Sequence, residues 1–188
     1  MPNLVAIGGL PAVGKTTLIR NFFLNYKTWY KFKYKKLYGH FNKELHLVIL
    51  GVYKNNEIFS GTDKLSMAVQ PDFAEFLVNN KPKYNILFEG DRLFNMKTIS
   101  IAQEYMNVKI YILHSNNTFE RHLERKDNQS EKFIKSRLTK LTNIKNLLDN
   151  KYEILVNDNN NDLEKNYKTI LNNFTQRLKE EHGETKKI

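Results

Sequence analysis

Short apolar runs alternate with amphipathic stretches along the whole chain. Leu4-Val5-Ala6-Ile7-Gly8 reads as a first strand, and Thr16 to about Tyr26 as a helix with Leu18, Ile19, Phe22 and Phe23 on one side. Leu37 to Phe41 predicts a short strand and His46 to Tyr53 a stronger one. Lys54-Asn55-Asn56 then turns the chain toward Glu57-Ile58-Phe59 as a hairpin. Pro71-Asp72 predicts a helix starting at Gln70, packed through Phe73 to Val78. Tyr84 to Phe88 is a short buried-type strand that ends at Glu89-Gly90-Asp91-Arg92. A helix over Met96 to Met106 and a strand over Val108 to Leu113 follow. Asn117 with Glu120 has the spacing of a capping box, and so does Asn128 with Glu131. The first opens a short helix with Arg121 and Arg125 on one face. The second opens a helix with Ile134, Leu138, Leu141, Ile144 and Leu148 as its apolar stripe. Tyr152 to Val156 is the last strand, and Leu163, Tyr167, Ile170, Leu171, Phe174 and Leu178 mark the closing helix. Lys179 to Ile188 reads as a frayed tail. Strands separated by helices predict an α/β fold of three layers, with a mainly parallel central sheet. No repeat or linker divides it, so residues 1–180 are expected to form one domain, with a polar tail at 181–188.

The most informative stretch is GLPAVGKT, Gly9 to Thr16, set between the first strand and the first helix. It has the pattern G-x-x-x-x-G-K-[ST] in the context that gives the pattern meaning. Gly9 and Gly14 permit a tight backbone turn, so that consecutive N–H groups point inward at a phosphate. The helix start adds unpaired donors and its positive end. Lys15 is placed to reach the β- and γ-phosphates of ATP, and the Thr16 hydroxyl to complete a Mg²⁺ shell. The nucleotide-binding set is therefore Gly9, Ala12, Val13, Gly14, Lys15, Thr16 and Thr17, in a P-loop NTPase fold.

Parallel sheets present ligands beyond the C-terminal ends of their strands, which brings Glu89-Gly90-Asp91-Arg92 to the same edge as the loop. A carboxylate there can hold Mg²⁺ or accept a proton from an attacking hydroxyl. Glu89, first after the apolar run, is the leading choice for the metal side or for the base, and Asp91 the second. Arg92 can bind an acceptor phosphate or pair with either carboxylate. Gly61-Thr62-Asp63 can orient an acceptor hydroxyl, although its local chemistry favours an ordinary Asx turn. Arg121, Arg125 and Arg137 are half of the six arginines and flank the charged break Lys126-Asp127-Asn128-Gln129. That concentration suggests a small helical lid covering a transferred phosphoryl group; salt bridges to Glu120, Glu124 and Asp127 are the plain alternative.

Composition narrows the classes further. The 188 residues contain no Cys, which removes disulfides and thiolate chemistry, and the five His lack ligand spacing for a metal centre. There is no leader-like segment and no long apolar span, so a soluble cytoplasmic protein without a membrane partner is expected. Thirty Lys plus Arg against 20 Asp plus Glu give a formal charge of +10. That suits a polyanionic partner as well as a Lys-rich solvated surface. Lys27 to Lys36 alternates aromatic and basic residues. It is compatible with a half-buried strand, a helix end with snorkelling lysines, or a nucleic-acid groove.

Over nearly its whole length the chain resembles the compact P-loop kinases that include nucleoside and nucleotide kinases. GTDKLSMAVQPD (Gly61 to Asp72), LFEGDRLFN (Leu87 to Asn95) and NQSEKFIKSRLTKLTNI (Asn128 to Ile144) are particularly similar to the phage-type 5-hydroxymethyluracil DNA kinases. The resemblance implies an enzyme that uses ATP and Mg²⁺ to phosphorylate the hydroxymethyl group of a modified pyrimidine, with DNA containing that base as its partner. It implies that Lys15 and Thr16 serve ATP and Mg²⁺, that Asp63, Glu89 and Asp91 lie around acceptor and metal, and that Arg121, Arg125 and Arg137 belong to the lid side. Among the three carboxylates the base stays open. A DNA acceptor would make the positive charge useful, and Trp29, Tyr30, Phe32 and Tyr34 could assist the unstacking of a base. No obligate protein partner is implied. Two other readings stand beside this one. A kinase for a nucleoside, nucleotide or other small molecule predicts a closed, acceptor-sized pocket. A nucleotide-driven nucleic-acid-binding regulator predicts hydrolysis without an acceptor.

Overall fold

The computed structural model describes residues 1–54, 60–80, 82–125 and 129–184, without the side chains of 125 and 176–184. The hairpin expected over 54–59 and the charged break at 126–128 therefore lie largely outside the described residues. Seven strands form one sheet: β1 (Asn3–Gly8), β2 (Tyr30–Tyr34), β3 (Leu37–Asn42), β4 (Leu47–Leu50), β5 (Asn85–Glu89), β6 (Asn107–His114) and β7 (Glu153–Val156). The order across it is β2-β3-β4-β5-β1-β6-β7. The pairs β4–β5, β5–β1, β1–β6 and β6–β7 are parallel, and β2–β3 and β3–β4 antiparallel. The result is the expected α/β architecture of a P-loop NTPase-like fold, a mixed and mostly parallel sheet between helical layers.

Alternate side chains of a strand face opposite layers, and both faces of this sheet are covered, so the central strands are apolar throughout. Leu4 and Ala6 of β1 point to one layer, with Val48, Leu50, Ile86, Phe88, Ile110 and Ile112. There they meet α2 (Val69–Asn80) through Phe73, Phe76 and Leu77, and α3 (Met96–Tyr105) through Ile99 and Ala102. Val5 and Ile7 point to the other layer, against α1 (Lys15–Asn25) through Leu18, Ile19 and Phe22, and α6 (Asn160–Glu184) through Tyr167, Ile170 and Phe174. The closing helix thus continues to Glu184, through residues that read as tail. Among the described residues no helix is long and apolar enough to cross a membrane.

Two further helices complete the chain, α4 (Thr118–Arg125) and α5 (Glu131–Leu148). The stripe expected on α5 is buried only at its C-terminal end, where Ile144 and Leu148 join the core, while Leu138 is 50% exposed. The N-terminal half of α5 has no core beneath it. Among the described residues the box expected at Asn117 does not form as such. The side-chain amide of Asn117 donates to the Asp158 carbonyl instead (3.1 Å), and Ser130 caps α5 by accepting from Phe133 N (3.2 Å). Asn128 lies outside the described residues.

The alternating stretch resolves as a strand. β2 is the edge of the sheet, four strand spacings from β1, or about 19 Å at ~4.8 Å each. Its aromatics pack: Trp29 on Phe23, Phe32 on Phe76 and Tyr84, and Tyr34 on Phe76. Lys33 and Lys43 sit over Tyr38 and Tyr30. Half-burial at an edge, with lysines that discourage further strand pairing, accounts for the alternation.

Candidate active site

β1 lies between β5 and β6, and the chain crosses from one side of it to the other after β5. The C-terminal edge at this crossing is where a parallel sheet opens a crevice. The loop Gly9 to Gly14 leaves β1 there. Gly9, Ala12 and Gly14 all have positive φ, at 140°, 61° and 94°. Gly14 is the N-cap of α1 in the left-handed region, and a Cβ on it would collide with the Asn157 amide. No side chain caps α1 and its first turn carries no acid, so its N–H donors are left for an anion. Lys15 Nζ folds back to donate to the carbonyls of Gly9 (2.9 Å) and Leu10 (2.8 Å). Val13 is buried beneath the loop and Thr17 is exposed beside it.

Register places Glu89, the last residue of β5, opposite Ile7 of β1. Its carboxyl is 2% exposed, and Oε1 accepts a hydrogen bond from the Thr16 hydroxyl at 3.0 Å. Burial, with smaller contributions from Asp63 and Asp91, pushes Glu89 up to about 7; Lys15 and the Thr16 hydroxyl oppose the shift. Gly61-Thr62-Asp63 is more than a turn. Thr62 is buried and donates to the Glu89 carbonyl (2.8 Å), while Asp63 Oδ1 accepts from the backbone N–H of Asp91 (2.8 Å). Gly61 has φ 81°, and a Cβ there would strike Glu89 Oε1. Only glycine lets this segment close on the end of β5. Asp63 is held above its ordinary value by partial burial and by Asp91, although its residue surface stays open to solvent at the rim.

Asp91 is engaged by two cations of α5, Arg137 NH1 at 2.6 Å and Lys140 Nζ at 3.2 Å. Arg137 therefore joins the carboxylates. Arg121 goes elsewhere: its guanidinium donates to the carbonyls of Ala12 (3.3 Å), Asn157 (2.7 Å) and Asp158 (3.2 Å), bracing the loop from β7. Arg125 ends α4, and its side chain lies outside the description. A cavity of ≈ 260 Å³ unites the rest, lined by Gly9, Ala12, Gly14, Lys15, Thr16, Asp63, Glu89, Asp91, Arg92 and Arg137. Val13, Thr17 and Arg121 are not part of its wall.

Sequence reasoning passed over Lys140, Ser60, Phe94 and Asn157. Lys140 follows Arg137 by three residues on one helix face, a spacing that was open to inspection. Asn157 is the first polar residue after β7, so the strand-end rule that selected Glu89 also selects it. It is buried and donates to the Val13 carbonyl at 2.8 Å. Ser60 and Phe94 line the cavity without any motif to announce them.

No family model matches the sequence, and no curated protein sequence matches it. The fold is shared with the crystal structure of a gluconokinase from Sinorhizobium meliloti 1021. The two superpose with a TM-score of 0.51 at 12% identity, covering 98% of this chain and 98% of that one. The likeness shows a shared fold over nearly the whole of both chains. This finding overturns the expectation that DNA containing a hydroxymethylated pyrimidine is the partner. The physical reasons agree with it. The cavity has the volume of a small molecule, and Trp29, Phe32 and Tyr34 are packed at the far edge of the sheet.

Proposed function

We propose that this chain is a small-molecule kinase, transferring the γ-phosphoryl group of ATP to the hydroxyl of an acceptor that enters the cavity beside Asp63. The observation that carries it is the convergence of a phosphate-binding loop and three carboxylates on one cavity. The fold shared with a gluconokinase adds support.

The loop N–H groups and Lys15 would hold the donor phosphates. Lys15 exchanges the Gly9 and Leu10 carbonyls for phosphate oxygens as it does so. Among the described residues no group of three or more His, Asp or Glu could hold a metal alone. That suits Mg²⁺, which keeps several waters and takes one or two protein ligands plus phosphates. The Thr16 hydroxyl and Glu89, already hydrogen-bonded to each other, would be those ligands. When bound, the ion neutralises charge on the phosphates. Asp63 is the choice for the base. Asp91 is committed to Arg137 and Lys140, and Glu89 to Thr16, whereas Asp63 faces the cavity from the rim. Its raised affinity for a proton suits it to take one from the acceptor hydroxyl as the new O–P bond forms. Arg137 is placed to cover charge on the transferred group.

The test is ADP release by purified protein with Mg²⁺, labelled ATP and a panel of sugar acids, nucleosides and nucleotides. Acceptor-dependent release with label on the acceptor, lost in Lys15→Met, is the expected result. Equal hydrolysis with and without every acceptor would leave a nucleotide-driven switch in place of a kinase.

A further inference from the structure

The segment Ser60 to Asp63 is fixed at both ends. Val52 and Gly61 exchange two backbone hydrogen bonds (3.0 and 2.9 Å) in an antiparallel bridge, and Gly51 leaves room for it, since a Cβ there would strike the Gly61 backbone. At the other end Thr62 donates to the Glu89 carbonyl and Asp63 accepts from Asp91 N. Ser60 opens the segment, 4% exposed, in the wall of the cavity. Among the described residues its Oγ has no hydrogen-bond partner. Resting on the kinase reading above, we infer that Ser60 is a positioning residue for the metal ion, its hydroxyl accepting a hydrogen bond from a water carried by bound Mg²⁺.

The unpaired hydroxyl is the first ground. Burying it without a partner costs stability that Ala at the same position would recover. The bridge at Gly61 holds the backbone beside it, so the missing partner has to arrive with a ligand. Burial is the second ground. Arg92, Gln129 and Arg137 also bring a buried, unpartnered atom to the wall, but each of these residues is partly open to solvent, whereas Ser60 is closed throughout. Its neighbourhood is the third. Gly61, the next residue, packs so closely on Glu89 that a Cβ would lie 2.2 Å from Oε1, the oxygen that accepts from Thr16. Ser60 therefore stands at the metal end of the segment, and Asp63, the choice for the base, at the acceptor end. Mg²⁺ is octahedral, and the Thr16 hydroxyl, Glu89 and phosphate oxygens leave it positions that water fills. A water on a dication is a strong donor, and out of bulk solvent its protons need acceptors. Glu89 Oε1 is already engaged by Thr16, while Ser60 Oγ has its lone pairs open. Such outer partners orient what the metal holds directly.

Calorimetry tests this without an acceptor or turnover, by measuring binding of a non-hydrolysable ATP analogue once in EDTA and once at saturating Mg²⁺. The ratio of the two dissociation constants reports what the ion gains from the protein. Ser60→Ala should leave the EDTA value within about twofold and cut the ratio about tenfold, the low end of what losing an outer partner costs a bound metal. Ser60→Cys keeps the size of the side chain with a weaker acceptor and should repeat the loss. The ligand-free Ser60→Ala protein should melt at or above the wild-type midpoint, because the hydroxyl it lacks made no bond. A lower midpoint would make Ser60 a structural residue and overturn the inference. So would a ratio unchanged in both folded variants, which leaves the hydroxyl to the acceptor. A reduced ratio without acceptor-dependent ADP release would sink the kinase and keep the Ser60 contact; ADP release with an unchanged ratio would do the reverse. A wild type that binds the analogue equally with and without Mg²⁺ overturns the contact, and one that binds none sinks both.

Discussion

Replacing Glu89 by Gln tests the electrostatics at the centre of the site. The carboxyl is 2% exposed, and burial lifts it from its ordinary 4.5 to about 7. That difference makes ionised Glu89 cost the fold roughly 3 kcal/mol relative to its protonated form. The folded protein binds this proton more tightly than the unfolded chain does. The contribution of Glu89 is therefore complete below pH about 4.5, falls as pH rises toward about 7, and stays low above that. Gln has the shape of the protonated acid and keeps an oxygen to accept from Thr16. Urea unfolding of both proteins from pH 5 to 8.5, without nucleotide or divalent metal, isolates Glu89 together with the Asp63 and Asp91 charges coupled to it, because the uncoupled titrations cancel in the difference. The margin of the variant over the wild type should widen by roughly 2–3 kcal/mol between pH 5 and pH 8. Parallel curves across that range would refute the placement of Glu89 as a desolvated, proton-holding group.

Other substitutions probe its neighbours. Gly61→Ala puts a side chain at φ 81° against Glu89 Oε1. Strain of about 1–3 kcal/mol should lower the melting midpoint by roughly 2–4 °C per kcal/mol, and activity should fall further as the Thr16–Glu89 bond is displaced. Asp63→Asn should reduce kcat by about 10²–10⁴ with affinity for a fluorescent ATP analogue unchanged; a fall in affinity alone would assign Asp63 to binding. Ser130→Ala removes the cap of α5 at a cost of about 1 kcal/mol. Hydrogen exchange read out by mass spectrometry should show faster exchange confined to the first turns of that helix.

Much of this architecture was legible because the central strands are buried on both faces and so read as unbroken apolar runs. The Leu4 to Gly8 run and the Tyr84 to Phe88 run located β1 and β5 to within a residue or two. The loop was legible because its glycines, lysine and threonine stand at a spacing that backbone geometry imposes. Hidden features were those set by tertiary choice. Asn117 has the spacing of a cap, yet its amide reaches β7's far end because Asp158 lies there after folding. Leu138 continues a helical stripe but has no layer to pack on. The three arginines look alike in sequence, and topology alone sends Arg121 to the back of the loop and Arg137 to the acids. Net charge misled about a partner: +10 is a sum, and a sum carries no position.

Lys15, resting on the carbonyls of Gly9 and Leu10, would under the proposed function limit how tightly a nucleotide is held. The ammonium has already left part of its water, so an arriving triphosphate meets a tethered counter-ion and swaps neutral oxygens for charged ones. Affinity from this residue is the difference between two sets of bonds, smaller than a fresh ion pair would give. The same tether keeps the empty nest in shape, and the entropy of ordering it is settled during folding, before any ligand arrives.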